Sequence, residues 1–184
     1  MTVARAWRVF TKGSLALLSV WNSPVGQAAK DGLEKMKALV QERFPEVKHL
    51  TTAELAAWLN NTKRVQPEII DVRTRAEFEV SHLAGARWVA PDTSARELLP
   101  SLPTNRPVVL YCSIGYRSSN CATRLLRAGF AQVLNLEGSL FQWANEGRPL
   151  VRDGGVATQV HPYSESFGKL LKPELRAPIT EKAR

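Results

Sequence analysis

The segment Pro107-Val108-Val109-Leu110-Tyr111 is a continuous apolar run that ends in Cys112-Ser113. It lacks the alternation of a half-exposed strand and suits a central strand covered on both faces. From His49 onward, similar short apolar runs alternate with helical patterns, the signature of a mostly parallel sheet with helices on both sides. Five units of this kind are counted, with strands expected at 48–50, 68–72, 86–89, 107–111 and 132–136. Helices are expected at 53–59, around Phe78 and Val80, at 94–99 before Pro100, at 118–128 before Gly129, and at 139–145 before Gly147 and Pro149. Two of these starts carry a capping box, Thr51 with Glu54 and Thr74 with Glu77. The expected fold class is α/β, with a central, mostly parallel five-stranded sheet.

The chain has 184 residues, 44% hydrophobic and 23% charged, which is ample for one buried core and excludes a multi-span membrane protein or a mainly disordered chain. Its two cysteines, Cys112 and Cys121, can build neither a disulfide framework nor a clustered Cys/His zinc site, so no metal is expected. The net charge of +8 raises the question of a polyanionic partner. Residues 1–48, 49–150 and 151–184 carry +4, +2 and +2, so most of the excess lies in the flanks. No basic run with interleaved aromatics tracks a phosphate backbone. The expectation is a small anionic substrate and no nucleic acid.

Residues 1–48 are read as a basic, amphipathic helical extension, 49–150 as the domain and 151–184 as an extended strap. The apolar run 14–21 is too short to span a bilayer. Val3, Trp7, Phe10, Leu17, Leu18 and Trp21 fall near one helical face, and three readings compete: an export signal, a helix on a membrane or partner, and a helix packed on the domain. Residues 1–30 thus offer a peripheral contact, and Gly26 and Ala28 could mark a cleavage site. A second amphipathic helix is expected at 30–44, stopped by Pro45. In the strap, Tyr163, Phe167, Leu170 and Leu171 are expected to pack back onto the domain, with mobility after Pro173.

The chemistry is concentrated at 112–118. In a parallel sheet, ligands bind beyond the carboxyl ends of the strands, where a loop running into a helix turns several N–H groups toward one point. A thiolate at Cys112 would be stabilised there by the N–H groups of Ser113, Ile114, Gly115, Tyr116 and Ser118, by the helix and by Arg117. Gly115 permits positive φ. Arg117 offers a planar fork to an oxyanion, and Ser118 can cap the helix or donate its hydroxyl to the sulfur.

Cys112-Ser113-Ile114-Gly115-Tyr116-Arg117-Ser118 resembles the active-site loop of the single-domain rhodaneses, a family of sulfurtransferase modules. Ile69-Ile70-Asp71-Val72-Arg73-Thr74-Arg75-Ala76-Glu77-Phe78, followed by Ser81-His82-Leu83-Ala84-Gly85-Ala86, resembles the family's amino-terminal signature. Asn135-Leu136-Glu137-Gly138-Ser139 through Trp143 resembles its end. Ser81 departs from the pattern, since a glycine before the histidine is more usual. The tail His161-Pro162-Tyr163 with Gly168-Lys169-Leu170-Leu171 is similar to that of a bacterial rhodanese-like subgroup. The resemblance implies a rhodanese-like fold and persulfide chemistry. Cys112 would take sulfane sulfur from thiosulfate or a persulfide and pass it to cyanide, glutathione or a protein thiol. Arg117 would bind the donor, and no metal or organic cofactor would take part.

Each residue also has a plainer reading. Cys121 is expected to be a small core residue. Asp71 and Arg73 could approach the loop and hold Arg117 or the substrate, or form an internal ion pair that fixes the loop, the reading preferred for Asp71; His82 is expected to make a structural hydrogen bond. Trp88, Phe141 and Trp143 are expected in the core or pocket wall, and Glu137-Gly138 at the start of the next helix. The alternative for the whole chain is a sulfur-presenting or binding module recruited by its flanks. A cysteine phosphatase or arsenate reductase stands third, because only four residues separate Cys112 from Arg117 and the loops of those enzymes are longer by a residue. A thiol that must stay reduced places the chain in the cytoplasm, with export as the alternative.

Overall fold

The computed structural model describes residues 24–179; the run 14–21 and the residues from 180 lie outside them. The described elements are α1 (Pro24–Arg43), β1 (Lys48–Leu50), α2 (Thr52–Asn60), β2 (Glu68–Asp71), α3 (Arg75–Val80), β3 (Arg87–Trp88) and α4 (Ala95–Leu98), the last running into a 3-10 turn. Then follow β4 (Val108–Tyr111), α5 (Tyr116–Arg127), β5 (Val133–Leu136), α6 (Ser139–Asn145), β6 (Leu150–Arg152), β7 (Gly155–Ala157), α7 (Glu165–Gly168) and a closing 3-10 turn at Pro173–Leu175.

The sheet is five-stranded and parallel throughout, in the order β1-β5-β4-β2-β3. The apolar run at β4 is central, paired with β2 from Glu68↔Val108 to Asp71↔Tyr111 and with β5 from Val108↔Val133 to Leu110↔Asn135. All four of its residues are buried. Strand alternation then sorts them. Val109 and Tyr111 enter one apolar core with Ile69, Leu136 and Phe141; Val108, Leu110 and Cys112 enter the other with Ile70, Val72, Ala122 and Leu125. Helix α1 spans both: Leu33 belongs to the first core, Val40 and Phe44 to the second.

Both expected capping boxes are present, and a third, Ser94 with Glu97, starts α4. Two helices begin earlier than the sequence suggests. Helix α1 opens at Pro24, whose fixed φ and missing N–H suit a first helical turn, so Gly26 and Ala28 lie inside it. Helix α5 opens at Tyr116 because Gly115, at φ +106°, turns the chain one residue ahead of it; Arg117 and Ser118 are therefore helical.

The tail is a folded unit, in contrast to the extended strap expected. Strands β6 and β7 pair antiparallel around Asp153-Gly154, which both have positive φ, the turn that an Asp-Gly pair favours in a hairpin. Val151 exchanges both backbone hydrogen bonds with His82 at 2.9 Å. Leu171 is fully buried in the first core, with Phe167 and Leu170 packed beside it. Asn145 donates to the Leu170 carbonyl at 2.8 Å and accepts from Lys172 N–H at 3.0 Å. From Pro173 to Ala177 the chain is tied rather than loose: Ala177 N–H donates to Val160 at 3.0 Å, and the Arg176 guanidinium donates to the Leu171 carbonyl at 2.7 Å. Leu171→Ala should therefore cost about 2–5 kcal/mol in urea unfolding, whereas Val156→Ala, on the exposed face of the hairpin, should stay within about 0.5 kcal/mol.

Candidate active site

Strand β4 delivers Cys112 to the carboxyl edge of the sheet, with β2 leading into α3 on one side and β5 into α6 on the other. The loop behind the cysteine is held on both flanks. The carbonyls of Cys112 and Ser113 accept from Leu140 and Phe141 N–H at 3.1 and 3.0 Å. Ser139 Oγ accepts from Cys112 N–H at 3.2 Å and donates to the Leu136 carbonyl at 2.9 Å. Ser139 does so at φ +49°, next to Gly138 at +64°. A Cβ on Gly115 would come within 3.2 Å of the Asn135 amide, so the turn there is both left-handed and close-packed.

The Cys112 side chain is 1% exposed. Gly115 N–H points at its sulfur from 3.2 Å. Burial raises the thiol pKa, but the Arg117 charge, the Ser118 hydroxyl and the N–H groups of Ser118 and Gly115 outweigh it, and the net shift is downward. Ser118 Oγ donates to Asn135 Oδ1 at 2.6 Å. Cys121 behaves oppositely: buried in the second core, its thiol is pushed up by desolvation.

On the other side, Glu77 collects the loop. Its carboxylate accepts from Arg117 Nη1 and Nη2 at 2.8 and 2.7 Å and from Ser113 Oγ at 2.9 Å, while still serving the capping box with Thr74. Arg117 Nη2 also donates to Ser113 Oγ at 2.9 Å. Burial opposes ionisation of Glu77, yet the Arg117 hydrogen bonds and charge, the Arg73 charge and Thr74 N–H bring its pKa down to about 2. The fork of Arg117, expected to face a donor anion, thus faces Glu77. Its contribution to Cys112 is its charge.

Asp71 and Arg73 are fully buried and pair with each other at 2.7 Å, and Arg73 also donates to the Ser81 carbonyl at 2.6 Å. They brace the end of β2 and reach the site only through the field of Arg73 on Glu77. His82 Nδ1 lies 3.0 Å from the Phe78 carbonyl with its ring stacked on Phe78, away from the thiol. Trp143 and Phe141 are core residues, and Trp88 donates to the Arg73 carbonyl at 2.9 Å.

The sequence reading missed Glu77 as a site residue, because the capping box already explained it, and missed Ser139 and Asn135, which it quoted within the 135–143 motif without assigning them a role. It also missed the mouth of the site. Met36 and Leu39 of α1, with Tyr163 and Phe167 of the tail, join Cys112, Ser113, Ile114, Tyr116 and Arg117 around a cleft of about 300 Å³. His161 supports this wall: its Nδ1 accepts from Tyr163 N–H at 3.0 Å, and burial pushes the imidazole pKa down. Among the described residues, no group of three His, Cys, Asp or Glu side chains is placed to hold a metal ion, and no helix is long and apolar enough to cross a membrane.

The chain is 33% identical over 101 residues to the probable adenylyltransferase/sulfurtransferase MoeZ of Mycobacterium tuberculosis, which covers 54% of this chain but only 25% of that protein. It is 32% identical over 115 residues to a sulfurtransferase of Allochromatium vinosum, covering 59% of this chain and 99% of that one. Among solved structures, a rhodanese-like domain protein from Staphylococcus aureus superposes with a TM-score of 0.50 at 29% identity, over 58% of this chain and 99% of that one. The model of the rhodanese-like domain matches residues 51–146, the segment that carries β4, the Cys112 loop and Glu77, and the chain belongs to that family.

Proposed function

We propose that the chain is a sulfurtransferase that carries sulfane sulfur on Cys112 as a persulfide and hands it to a thiophilic acceptor. The observation that carries this reading is the placement of a buried thiol, lowered in pKa, against Gly115 N–H and the Arg117 charge. In the first half-reaction the Cys112 thiolate attacks the outer sulfur of the donor. One S–S bond forms at Sγ, the donor's bond to that sulfur breaks, and the leaving group departs with the electron pair, as sulfite from thiosulfate or as a thiol from a persulfide. The outer sulfur then stands about 2 Å beyond Sγ, out of the floor of the cleft and within reach of an acceptor. In the second half-reaction, cyanide or a thiolate attacks that sulfur and returns the Cys112 thiolate. This is covalent catalysis by an activated nucleophile, and a ping-pong pattern is expected.

Arg117 and Glu77 act as a unit. The guanidinium stabilises the thiolate and the persulfide by charge, and Glu77 with Ser113 fixes where that charge sits. Arg73 and Asp71 steady Glu77 from behind. Helix α1 is part of the body of the molecule, since Leu33, Val40 and Phe44 are buried in its cores; this disfavours reading the described part of the amino-terminal flank as a detachable recruitment arm. The need for a reduced thiol fits a reducing compartment such as the cytoplasm.

Intact-mass measurement after thiosulfate or an organic persulfide should show a cyanide-labile gain of one sulfur, absent in Cys112→Ser; no gain with either donor would sink the reading. Arg117→Gln should shift the pH midpoint of Cys112 alkylation by iodoacetamide upward and slow sulfur loading by about 10²-fold. Because Glu77 is held at about 2 against an ordinary 4.5, its contribution to stability is complete above pH 4.5 and is lost as the pH falls toward 2. The Tm of Glu77→Gln should lack that part of the acid dependence, and a variant that tracks the wild type down to pH 2.5 would contradict the pairing.

A further inference from the structure

Four of the nine residues that line the cleft over Cys112 come from outside the segment that matches the family. Met36 and Leu39 rise from α1, and Tyr163 and Phe167 from the tail. All four are apolar or aromatic. Leu39, Tyr116 and Tyr163, at 46, 40 and 49% exposure, are three of the large hydrophobic side chains left open among the described residues, and all three stand at this one mouth. Tyr163 is held there at φ +66°, a conformation that an aromatic residue rarely adopts. Its N–H is fixed by His161, its ring meets Phe167 edge-on at 5.4 Å, and it covers the Arg117 guanidinium at 4.9 Å. Strain kept by several independent contacts, at the edge of a reactive centre, points to use.

The charges point the same way. Arg117 is the one cationic side chain in the lining, and both of its terminal nitrogens are already engaged by Glu77. A dianion such as inorganic thiosulfate would shed water in an apolar mouth without meeting an unpaired cation, which is unfavourable. An organic sulfur carrier would instead bury its apolar group against the wall while presenting its sulfane sulfur to Cys112. The cleft volume lies at the small end of the range for small-molecule sites.

We infer that the flanks make this site selective for a small organic sulfur carrier with an apolar group, an alkyl or aryl persulfide, in preference to inorganic thiosulfate. The inference rests on the sulfur-transfer reading above. The step balances without an oxidant: Cys112-S⁻ attacks R-S-SH, the new S–S bond forms at Sγ, the R-S–S bond breaks, and the leaving R-S⁻ takes the proton, giving Cys112-S-S⁻ and R-SH.

Benzenethiosulfonate and inorganic thiosulfate test it, since each delivers one sulfane sulfur and leaves as a sulfinate or as sulfite. The full-length chain, Leu39→Ser and Tyr163→Gly are compared by kcat/KM for thiocyanate formation at fixed cyanide. Glycine is chosen at 163 because it accepts the positive φ, and Leu39 lies outside both cores, so neither change removes packing that the fold needs. The wild type should favour benzenethiosulfonate by more than about tenfold, and each variant should lower that ratio about tenfold, mainly through KM, the scale of a lost apolar contact in a binding pocket. A ratio that is the same in wild type and variants, or a wild type that prefers inorganic thiosulfate, overturns the inference and leaves the sulfur-transfer reading standing. Failure of both donors to load Cys112, read by intact mass, overturns both.

Discussion

The Glu77 carboxylate accepts five hydrogen bonds in a place that solvent does not reach, from Thr74 N–H and Oγ1, Ser113 Oγ and both terminal nitrogens of Arg117. Three parts of the molecule meet on those two oxygens: the start of α3, the loop after β4 and the first turn of α5. A buried charge is tolerable only when its lone pairs are taken and an opposite charge is close. Here both conditions are met in large part by Arg117 and Ser113, which also line the cleft over Cys112. Removing Glu77 would therefore do more than delete an ion pair. It would release the Arg117 side chain from the position that lowers the Cys112 pKa, and leave the Ser113 hydroxyl without its acceptor.

The opposite flank of the loop is held by backbone. Helix α6 presents the N–H groups of Leu140 and Phe141 to the carbonyls of Cys112 and Ser113, and Ser139, in a left-handed conformation, reaches beneath Cys112 N–H. One side of the loop is thus set by charge and the other by the polarity of a helix start. The result is a sulfur that is buried and yet lowered in pKa, a combination that burial alone forbids. In the proposed reaction, a fixed set of N–H dipoles and one fixed cation would stabilise a negative sulfur with no rearrangement between thiolate and persulfide.

Much of this was legible in the residues. The apolar 107–111 run announced a central strand, and the spacing of Cys112, Gly115 and Arg117 announced an anion cradle, because backbone period and loop geometry are local properties. Glu77 was legible as a helix cap and as part of the 69–78 signature, but not as a partner of the loop. Its second task depends on Arg117, forty residues later, and a local pattern carries no information about that distance. The tail was misread for a related reason. The Asp153-Gly154 turn was a usable hairpin signal, but the burial of Leu171 and the clamp from Asn145 follow from tertiary packing, and the short turns between Glu165 and Leu175 have no periodicity to betray them.

The division between matched domain and flanks also looks different once packing is considered. The core that α1 and the tail enter is the same core that supports β4, through Leu33 on one side and Val160 and Leu171 on the other. Having been buried for stability, these flanks stand beside the carboxyl edge of the sheet, where the reactive loop emerges. Anything they add there becomes part of the site: Met36 and Leu39 follow Leu33 by about one and two helical turns, and Tyr163 and Phe167 lie between the two anchored segments of the tail. A fold whose chemistry needs only a short loop can keep that loop constant and vary its clientele through such additions, because the loop's own hydrogen bonds run to Glu77 and α6 and are independent of what forms the mouth.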